Sequence, residues 1–364
     1  MLPLHIYVLA FLVSFIVAIV TTPLVKKIAL SIGAIDQPEA RKVHAKIMPR
    51  LGGLAIVFGF VAGLLVLQPQ FSYILPIMVG AFIIVLVGIL DDKYTLKANI
   101  KLVGQTAAAC IVVFSGLKID MINLPFYGEV YFGIWSYPFT ILWIVGVTNA
   151  INLIDGLDGL AGGVSTIALA SILTMAILDG QLLAIALSVI LIASTLGFLL
   201  FNFYPAQIFM GDTGSLFLGY LISVISILGL FKNLTLFSLI IPIIILAIPI
   251  FDTFFAIIRR MLKRKKISAP DKKHLHYCLL EMGFSHRQTV LIIYGVSAFF
   301  GTAAIIFSAT ALWLSIFIIF LLLFAIQIGA EMIGILDNGK KPVVNFIKRV
   351  WKPNELRREP KFRR

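Results

Sequence analysis

Charge is scarce in this chain, and cysteine and histidine are scarcer still. Charged residues make up 13% of the 364 positions against 60% hydrophobic, and the mean hydropathy is +1.04. A soluble domain carries about 25% charged residues, so an ordinary water-soluble fold is excluded. The two cysteines, Cys110 and Cys278, fall on opposite sides of the expected topology, so no disulfide between them is expected, and neither has metal-ligand company. Short alternating segments of the kind that build a transmembrane β-barrel are missing. The first apolar run, residues 6–24, has no basic leader before it and no small-residue cleavage site after it, so it is expected to be a retained helix. No internal repeat is evident, nor the paired broken helices that mark many transporters.

What the sequence has instead is a succession of apolar runs. We count eleven, at about 4–25, 52–68, 73–90, 100–117, 137–150, 164–179, 182–201, 214–230, 235–258, 289–308 and 311–334. The expected fold is an all-α polytopic membrane protein of about 11 transmembrane helices. A net charge of +13 raises the question of nucleic acid, but the positive-inside rule accounts for it. With the N-terminus outside and the C-terminus cytoplasmic, only Lys118 and Lys232 of the 30 Lys and Arg residues fall on the outer side. No nucleic-acid partner is needed; the partner is the lipid bilayer. Pro125, Gly128 and Gly133, set among β-formers near 119–135, predict a small extracellular hairpin. Residues 1–335 read as one integral-membrane domain and 336–364 as a basic cytoplasmic tail, suited to anionic lipid or disordered.

The outer connections are plain turns, whereas the inner ones, 36–53, 91–101, 149–163, 202–215 and 259–287, all carry polar residues. Such asymmetry predicts a site on the cytoplasmic face. The central stretch is 149–163, NAINLIDGLDGLAGG, in which Asn149, Asn152, Asp155 and Asp158 recur every three residues. On a helix that spacing keeps neighbours near one face. Carboxylates and amides gathered so suit a hydrated divalent cation or a polar head group; the plainer alternative is an acidic re-entrant turn. Asp91-Asp92 ends an apolar run and is followed by Lys93, Lys97 and Lys101. Adjacent acids at a membrane boundary are costly and usually functional, as metal ligands or a base, although an interfacial cluster balanced by lysines has the same pattern. Lys101 could meet a phosphate as a point charge.

Asp212 lies between two glycines at the start of an apolar run, in Phe209-Met-Gly-Asp-Thr-Gly-Ser215. It either complements the helix dipole or joins a phosphate or metal-phosphate site with the open backbone N–H groups. Phe209 is interfacial packing or an aromatic platform for a base. Asp252, three residues after Pro249, is a site residue or the partner of a nearby lysine. In the last inner loop His274 and His276 follow Asp271-Lys-Lys, and in the first Arg41-Lys-Val-His44 repeats the theme. Cations with histidines suit a diphosphate or a sugar. Hard oxygen ligands point to Mg²⁺, with Mn²⁺ as its substitute, and the inventory suggests phosphoryl chemistry between a soluble anionic donor and a lipid acceptor.

In this order, these five motifs resemble the polyprenyl-phosphate N-acetylhexosamine-1-phosphate transferase family over nearly all of the chain up to about residue 335. The resemblance implies transfer of a sugar-1-phosphate from a UDP-sugar to a polyprenyl phosphate, such as undecaprenyl phosphate, with release of UMP at a bacterial cell membrane. It assigns Asp91 and Asp92 to the family's acidic pair, Lys101 to its phosphate-contacting lysine, and Asn149, Asn152, Asp155 and Asp158 to its Asn-x-x-Asn-x-x-Asp-Gly-x-Asp-Gly element. In that element Asn152 belongs to the Mg²⁺ site and Asp158 reaches towards uracil. Asp212 becomes a direct metal ligand, Phe209 a uracil platform, and His274 and His276 the sugar-phosphate pair. Tyr277 stands where many relatives carry a third histidine.

The His-Leu-His loop resembles the branch that uses UDP-N-acetylglucosamine and primes teichoic acid, O-antigen and lipopolysaccharide polymers. The alternatives are the phospho-N-acetylmuramoyl-pentapeptide branch of peptidoglycan synthesis, the CDP-alcohol phosphotransferases and, from another class, a cation-coupled transporter. By resemblance alone a homodimer is expected. In the implied reaction Asp91 takes the proton of the lipid phosphate or orients it, and Asp92 supports metal or acceptor. A covalent phospho-sugar aspartate is the other possible course.

Overall fold

The computed structural model describes residues 3–36, 47–124, 128–229, 240–264 and 273–308, with the helical positions 327 and 331. Among them the chain forms α1 (Leu4–Ser31), β1 (Ile35–Asp36), β2 (Met48–Pro49), α2 (Gly53–Leu67), α3 (Ile74–Tyr94), α4 (Ala98–Phe114), β3 (Met121–Leu124) and β4 (Gly128–Tyr131). A 3₁₀ turn at Gly133–Trp135 leads into α5 (Ser136–Ile154), α6 (Leu160–Leu178), α7 (Leu182–Asn202) and α8 (Gly211–Gly229). The chain continues through α9 (Ile240–Ile245), α10 (Ala247–Leu262), α11 (Leu275–Glu281) and α12 (His286–Ser308).

Among the described residues, seven helical segments are long and apolar enough to cross a membrane, and α2 and α4 are shorter apolar helices. The protein is therefore an all-α, multi-pass membrane protein. The expected span at 235–258 is broken: α9 stops at Ile245 and α10 begins at Ala247. Pro249 supplies the reason, since it has no N–H to give the Ile245 carbonyl and its ring crowds that turn. The expected eleventh span (311–334) and almost all of the basic tail lie outside the described residues.

The helices are inverted relative to a soluble protein. On α1 the buried stripe is Ala10, Ser14, Ala18, Thr22, Val25 and Ala29, while Leu9, Leu12, Ile16, Val20 and Leu24 are exposed. Small residues face the neighbours because close backbone approach, rather than the hydrophobic effect, holds helices together in lipid. The centre of the bundle is α8, buried along nearly its whole length and packed against α2, α3, α5, α6 and α7. Its approach to α3 needs a glycine, because a Cβ on Gly88 would run into the Thr213 backbone. Interhelical hydrogen bonds among the described residues include Tyr220 Oη donating to the Ile77 carbonyl at 3.0 Å and Trp143 Nε1 to Ser226 Oγ at 3.0 Å. Bonds of this kind contribute about 0.6 kcal/mol each in a membrane, so packing dominates.

The expected hairpin is present. β3 and β4 pair antiparallel with Met121 opposite Tyr131 and Leu124 opposite Gly128. At the other end of the bundle β1 pairs with β2, Ile35 opposite Pro49. The strand carries on into a bridge between Arg50 and Phe209. There Phe209 N–H donates to Pro49 O at 2.9 Å, Gly52 N–H to Phe209 O at 3.0 Å and Gly53 N–H to Met210 O at 2.8 Å. These bonds dock the loop before α2 onto the loop before α8.

Candidate active site

α3 runs four residues past its expected end, so Asp91 and Asp92 lie in its last turn, and both are buried. Their roles diverge at once. Asp92 reaches the start of α8: Oδ1 accepts the Asp212 N–H at 2.8 Å, and Oδ2 accepts the Thr213 N–H at 3.0 Å and the Thr213 hydroxyl at 2.6 Å. Three hydrogen bonds to a helix N-terminus make Asp92 a cap delivered from a neighbouring helix. Gly211 is required beside it, since its φ is +69° and a Cβ there would strike the Asp92 carboxylate. Asp91 is drawn to Asp212 by a different route, through the shared Lys101. Its Oδ1 accepts the Leu96 N–H at 2.8 Å and its Oδ2 lies 3.3 Å from Lys101 Nζ.

Lys101, in the first turn of α4, makes a closer bond of 2.7 Å to Asp212 Oδ2. Arg50 joins from the opposite side, 3.7 Å from each of Asp36, Asp92 and Asp212. Burial works against the Arg50 charge, but Asp92, Asp212 and Asp36 outweigh it and raise its pKa. Two cations thus bracket Asp212. The sequence marks Arg50 only through the cation and glycine pair of Pro49-Arg-Leu-Gly-Gly53, and its three acidic partners emerge from the fold.

The run from Asn149 to Asp158 is not one helix face. α5 ends at Ile154, Asp155 caps it with φ −74° and ψ 62°, and Asp158 sits in the turn before α6. The two glycines after the aspartates are the physical reason, since Gly156 and Gly159 disfavour continuing the helix and Gly159 takes φ +76°. Asn149 pairs with Gln105 of α4 and donates to Val145 O at 2.8 Å. Asn152 Nδ2 donates to Ser215 Oγ at 2.8 Å, which leaves its carbonyl oxygen for a ligand.

Asp155 differs from the other acids, because no described residue bonds or ion-pairs its side chain. Burial, then the like charge of Asp212, raises its pKa to about 7, with Arg50 opposing and Asp92 adding to the rise. Asp158 is held instead. Its N–H donates to His286 Nε2 at 3.0 Å and its Oδ2 accepts the Ala206 N–H at 2.9 Å. His286 in turn stacks on Tyr204 with centroids 4.5 Å apart. The position of His286, at the start of a span far along the chain, gave no sequence signal.

The histidine loop closes the site. His276 packs on Gly156, where a Cβ would collide with its ring. It is 2% exposed, and neither ring nitrogen has a hydrogen-bond partner among the described residues. Burial lowers its pKa to about 4, against the raising effect of Asp252, so the ring is neutral near pH 7. Its ring lies parallel to that of His274, 5.9 Å away. Asp252 proves to be the partner of His274, at 2.7 Å, rather than of a lysine. His44 and Asp271 lie outside the described residues. Phe209 is half-buried at the edge of the cluster.

Among the described residues, no group of three or more His, Cys, Asp and Glu side chains forms a metal cage. The donor set nevertheless fits Mg²⁺, which is usually held by one or two carboxylates with substrate phosphates and water completing the shell. Asp212, Asp155 and the Asn152 oxygen are hard donors, and the Lys101 ammonium already seated on Asp212 marks a place for positive charge.

Comparison with known proteins fits this geometry. The family model described as Glycosyl transferase family 4 matches residues 74–230, a segment holding the acid pair, Lys101, the Asn–Asp element and Asp212. A Bacillus subtilis protein named "Probable undecaprenyl-phosphate N-acetylglucosaminyl 1-phosphate transferase" is 55% identical over 350 residues, covering 95% of this chain and 98% of that protein. The chain belongs to glycosyl transferase family 4. More distant members of the family include a Mycolicibacterium smegmatis decaprenyl-phosphate N-acetylglucosaminephosphotransferase, 33% identical over 84% of this chain and 83% of its own. A Salmonella typhi undecaprenyl-phosphate alpha-N-acetylglucosaminyl 1-phosphate transferase is 28% identical over 74% of this chain and 75% of its own.

Proposed function

We propose that this family member transfers N-acetylglucosamine-1-phosphate from UDP-N-acetylglucosamine to undecaprenyl phosphate, at the cytoplasmic face of a bacterial cell membrane. The observation that carries the reading is the meeting, at one end of the bundle, of a carboxylate–cation cluster and a buried, unpartnered histidine, in a chain 55% identical to a relative named for this reaction. The first suits two phosphate groups and a divalent ion; the second suits a polar ligand that brings its own hydrogen bonds. The membrane boundary suits the lipid acceptor. By likeness to the family, the working unit is a homodimer.

Mg²⁺, held by Asp212 and Asn152 with Asp155 beside them, would neutralise charge on the diphosphate when bound. The chain's own groups do the rest. Lys101 and Arg50 supply fixed positive charge where the phosphates gather, and because both are already oriented by carboxylates, little reorganisation is needed during reaction. Asp91 orients the lipid phosphate. Asp92 holds the α8 N-terminus and so sets the position of Asp212. An oxygen of the lipid phosphate forms a bond to the β-phosphorus of the donor as the bond from that phosphorus to the bridging oxygen breaks. UMP leaves with that oxygen, and the products are lipid-linked diphospho-N-acetylglucosamine and UMP.

A donor swap tests the reading. Purified protein with undecaprenyl phosphate should move label from UDP-N-acetylglucosamine into the lipid phase and none from UDP-N-acetylmuramoyl-pentapeptide. The reverse pattern would overturn the donor assignment.

A further inference from the structure

Asp252 lies on α10, the helix that begins just after the break at Leu246, and it is 4% exposed. A carboxylate buried so deeply must be matched by donors. Both of its oxygens are matched, and both matches lie in the histidine loop. Oδ2 is 2.7 Å from His274 Nδ1, and Oδ1 accepts the Leu275 N–H at 2.9 Å. The Leu275 bond satisfies one of the free N–H groups at the start of α11, for which His274 is the N-cap residue. The imidazole bond does something else. A carboxylate only accepts hydrogen bonds, so the nitrogen facing it must be protonated. His274, 5% exposed, is thereby held as the Nδ1–H form, with Nε2 left as the nitrogen for a ligand.

His276, stacked parallel to His274, has no such partner on either nitrogen among the described residues. The loop therefore holds one imidazole of fixed orientation and proton placement beside one that waits for its partner. α10 is set against α5 and α12, the helices that lead into the Asp155 turn and carry His286. Asp252 thus connects the histidine loop to a rigid part of the bundle.

We propose that Asp252 is a positioning residue for the transfer reaction, one that fixes the tautomer and orientation of His274 from beneath the histidine loop; this rests on the functional reading above. Asp252 does not touch the donor. It acts on the donor through His274, as carboxylates behind liganding histidines do elsewhere.

The test separates this from a purely structural cap. Asp252→Asn keeps an oxygen for the Leu275 N–H but presents an NH₂ to His274, which reverses the tautomer. The melting temperature in detergent should stay close to that of the unaltered protein. kcat/KM for the nucleotide sugar should fall about 10- to 100-fold, with KM for the polyprenyl phosphate held within about twofold. In the His274→Ala background the same change should cost no more than about twofold, because the residue it acts through is gone. Multiplied losses in the double variant, or an unchanged kcat/KM in Asp252→Asn, would overturn the proposal.

A readout independent of activity uses histidine labelled with nitrogen-15. His274 should carry its proton on Nδ1 in the unaltered protein and on Nε2 in Asp252→Asn. If the unaltered protein transfers no sugar, the functional reading fails and the nitrogen signals still decide the dyad. Should Asp252→Asn not fold, the signal of the unaltered protein decides it, and an Nε2–H form there would overturn it.

Discussion

The acid cluster and the histidine corner sit side by side at one end of the bundle, yet they are built on opposite principles. Around Asp212 the charges of Asp91, Asp92 and Asp212 itself are already answered. Lys101 spans Asp212 and Asp91, Arg50 spans Asp36, Asp92 and Asp212, and Asp92 is fully engaged by the α8 N-terminus. In the histidine corner, His276 is buried and neither of its nitrogens has a hydrogen-bond partner among the described residues. A buried polar group without a partner costs about 1–3 kcal/mol. An imidazole with two such nitrogens is suited to a ligand that supplies the missing bonds. On the function proposed above, the first region would stabilise developing charge and the second would recognise the donor.

The sharpest break of this comparison is at Asp212. Asp212→Asn removes the charge shared by Lys101 and Arg50 and should lower turnover about a thousandfold. Single-turnover transfer of labelled sugar phosphate would measure it, and a loss below tenfold would mean that the cluster is structural. At the histidine corner, His276→Leu should cost about 10- to 100-fold in kcat/KM for the nucleotide sugar. It should leave the melting temperature unchanged or higher, because no hydrogen bond is lost and a buried unpartnered ring is removed. A variant that is destabilised and fully active would reverse the assignment.

Acid should act on the same corner. His276 has a folded-state pKa of about 4 against about 6.5 when unfolded. The unfolded chain therefore binds the proton more readily, and stability is lost as pH falls from about 6.5 towards 4. Between pH 7 and pH 5 this group should cost about 2 kcal/mol. Thermal melts of the unaltered protein and of His276→Leu across that range should differ by this amount, and parallel pH curves would contradict it. The smallest effect concerns the turn that joins the two regions. His286→Phe keeps a ring on Tyr204 but deprives the Asp158 N–H of its acceptor, which should cost about 1 kcal/mol in denaturant melts.

Much of this arrangement was legible in the chain, and the limits have physical causes. Apolar runs revealed the helices because lipid imposes length and composition on them. Asp91, Asp92, Lys101 and Asp212 stood out because charge at a membrane boundary is costly. The three-residue spacing from Asn149 to Asp158 misled, since spacing implies a face only while the helix lasts, and Gly156 and Gly159 end it. The apolar run at 235–258 reads as one span, and the break at Leu246 became visible only from the backbone. Asp252 read equally as a site residue or a lysine's partner, because the choice of partner is tertiary. His286 was invisible for the same reason, and Arg50 was legible only as a cation beside a glycine pair, because their contacts are made across the sequence by loops docking at one end of the bundle.

The central claim is that the Asp212 cluster and its divalent ion drive transfer of the sugar phosphate to lipid. The most direct test is one assay in detergent, with undecaprenyl phosphate and labelled UDP-N-acetylglucosamine, run with Mg²⁺ and with the ion chelated. Label should enter the lipid phase only with Mg²⁺ and should be lost in Asp212→Asn. Equal transfer with the ion removed, or no transfer under either condition, would contradict the account.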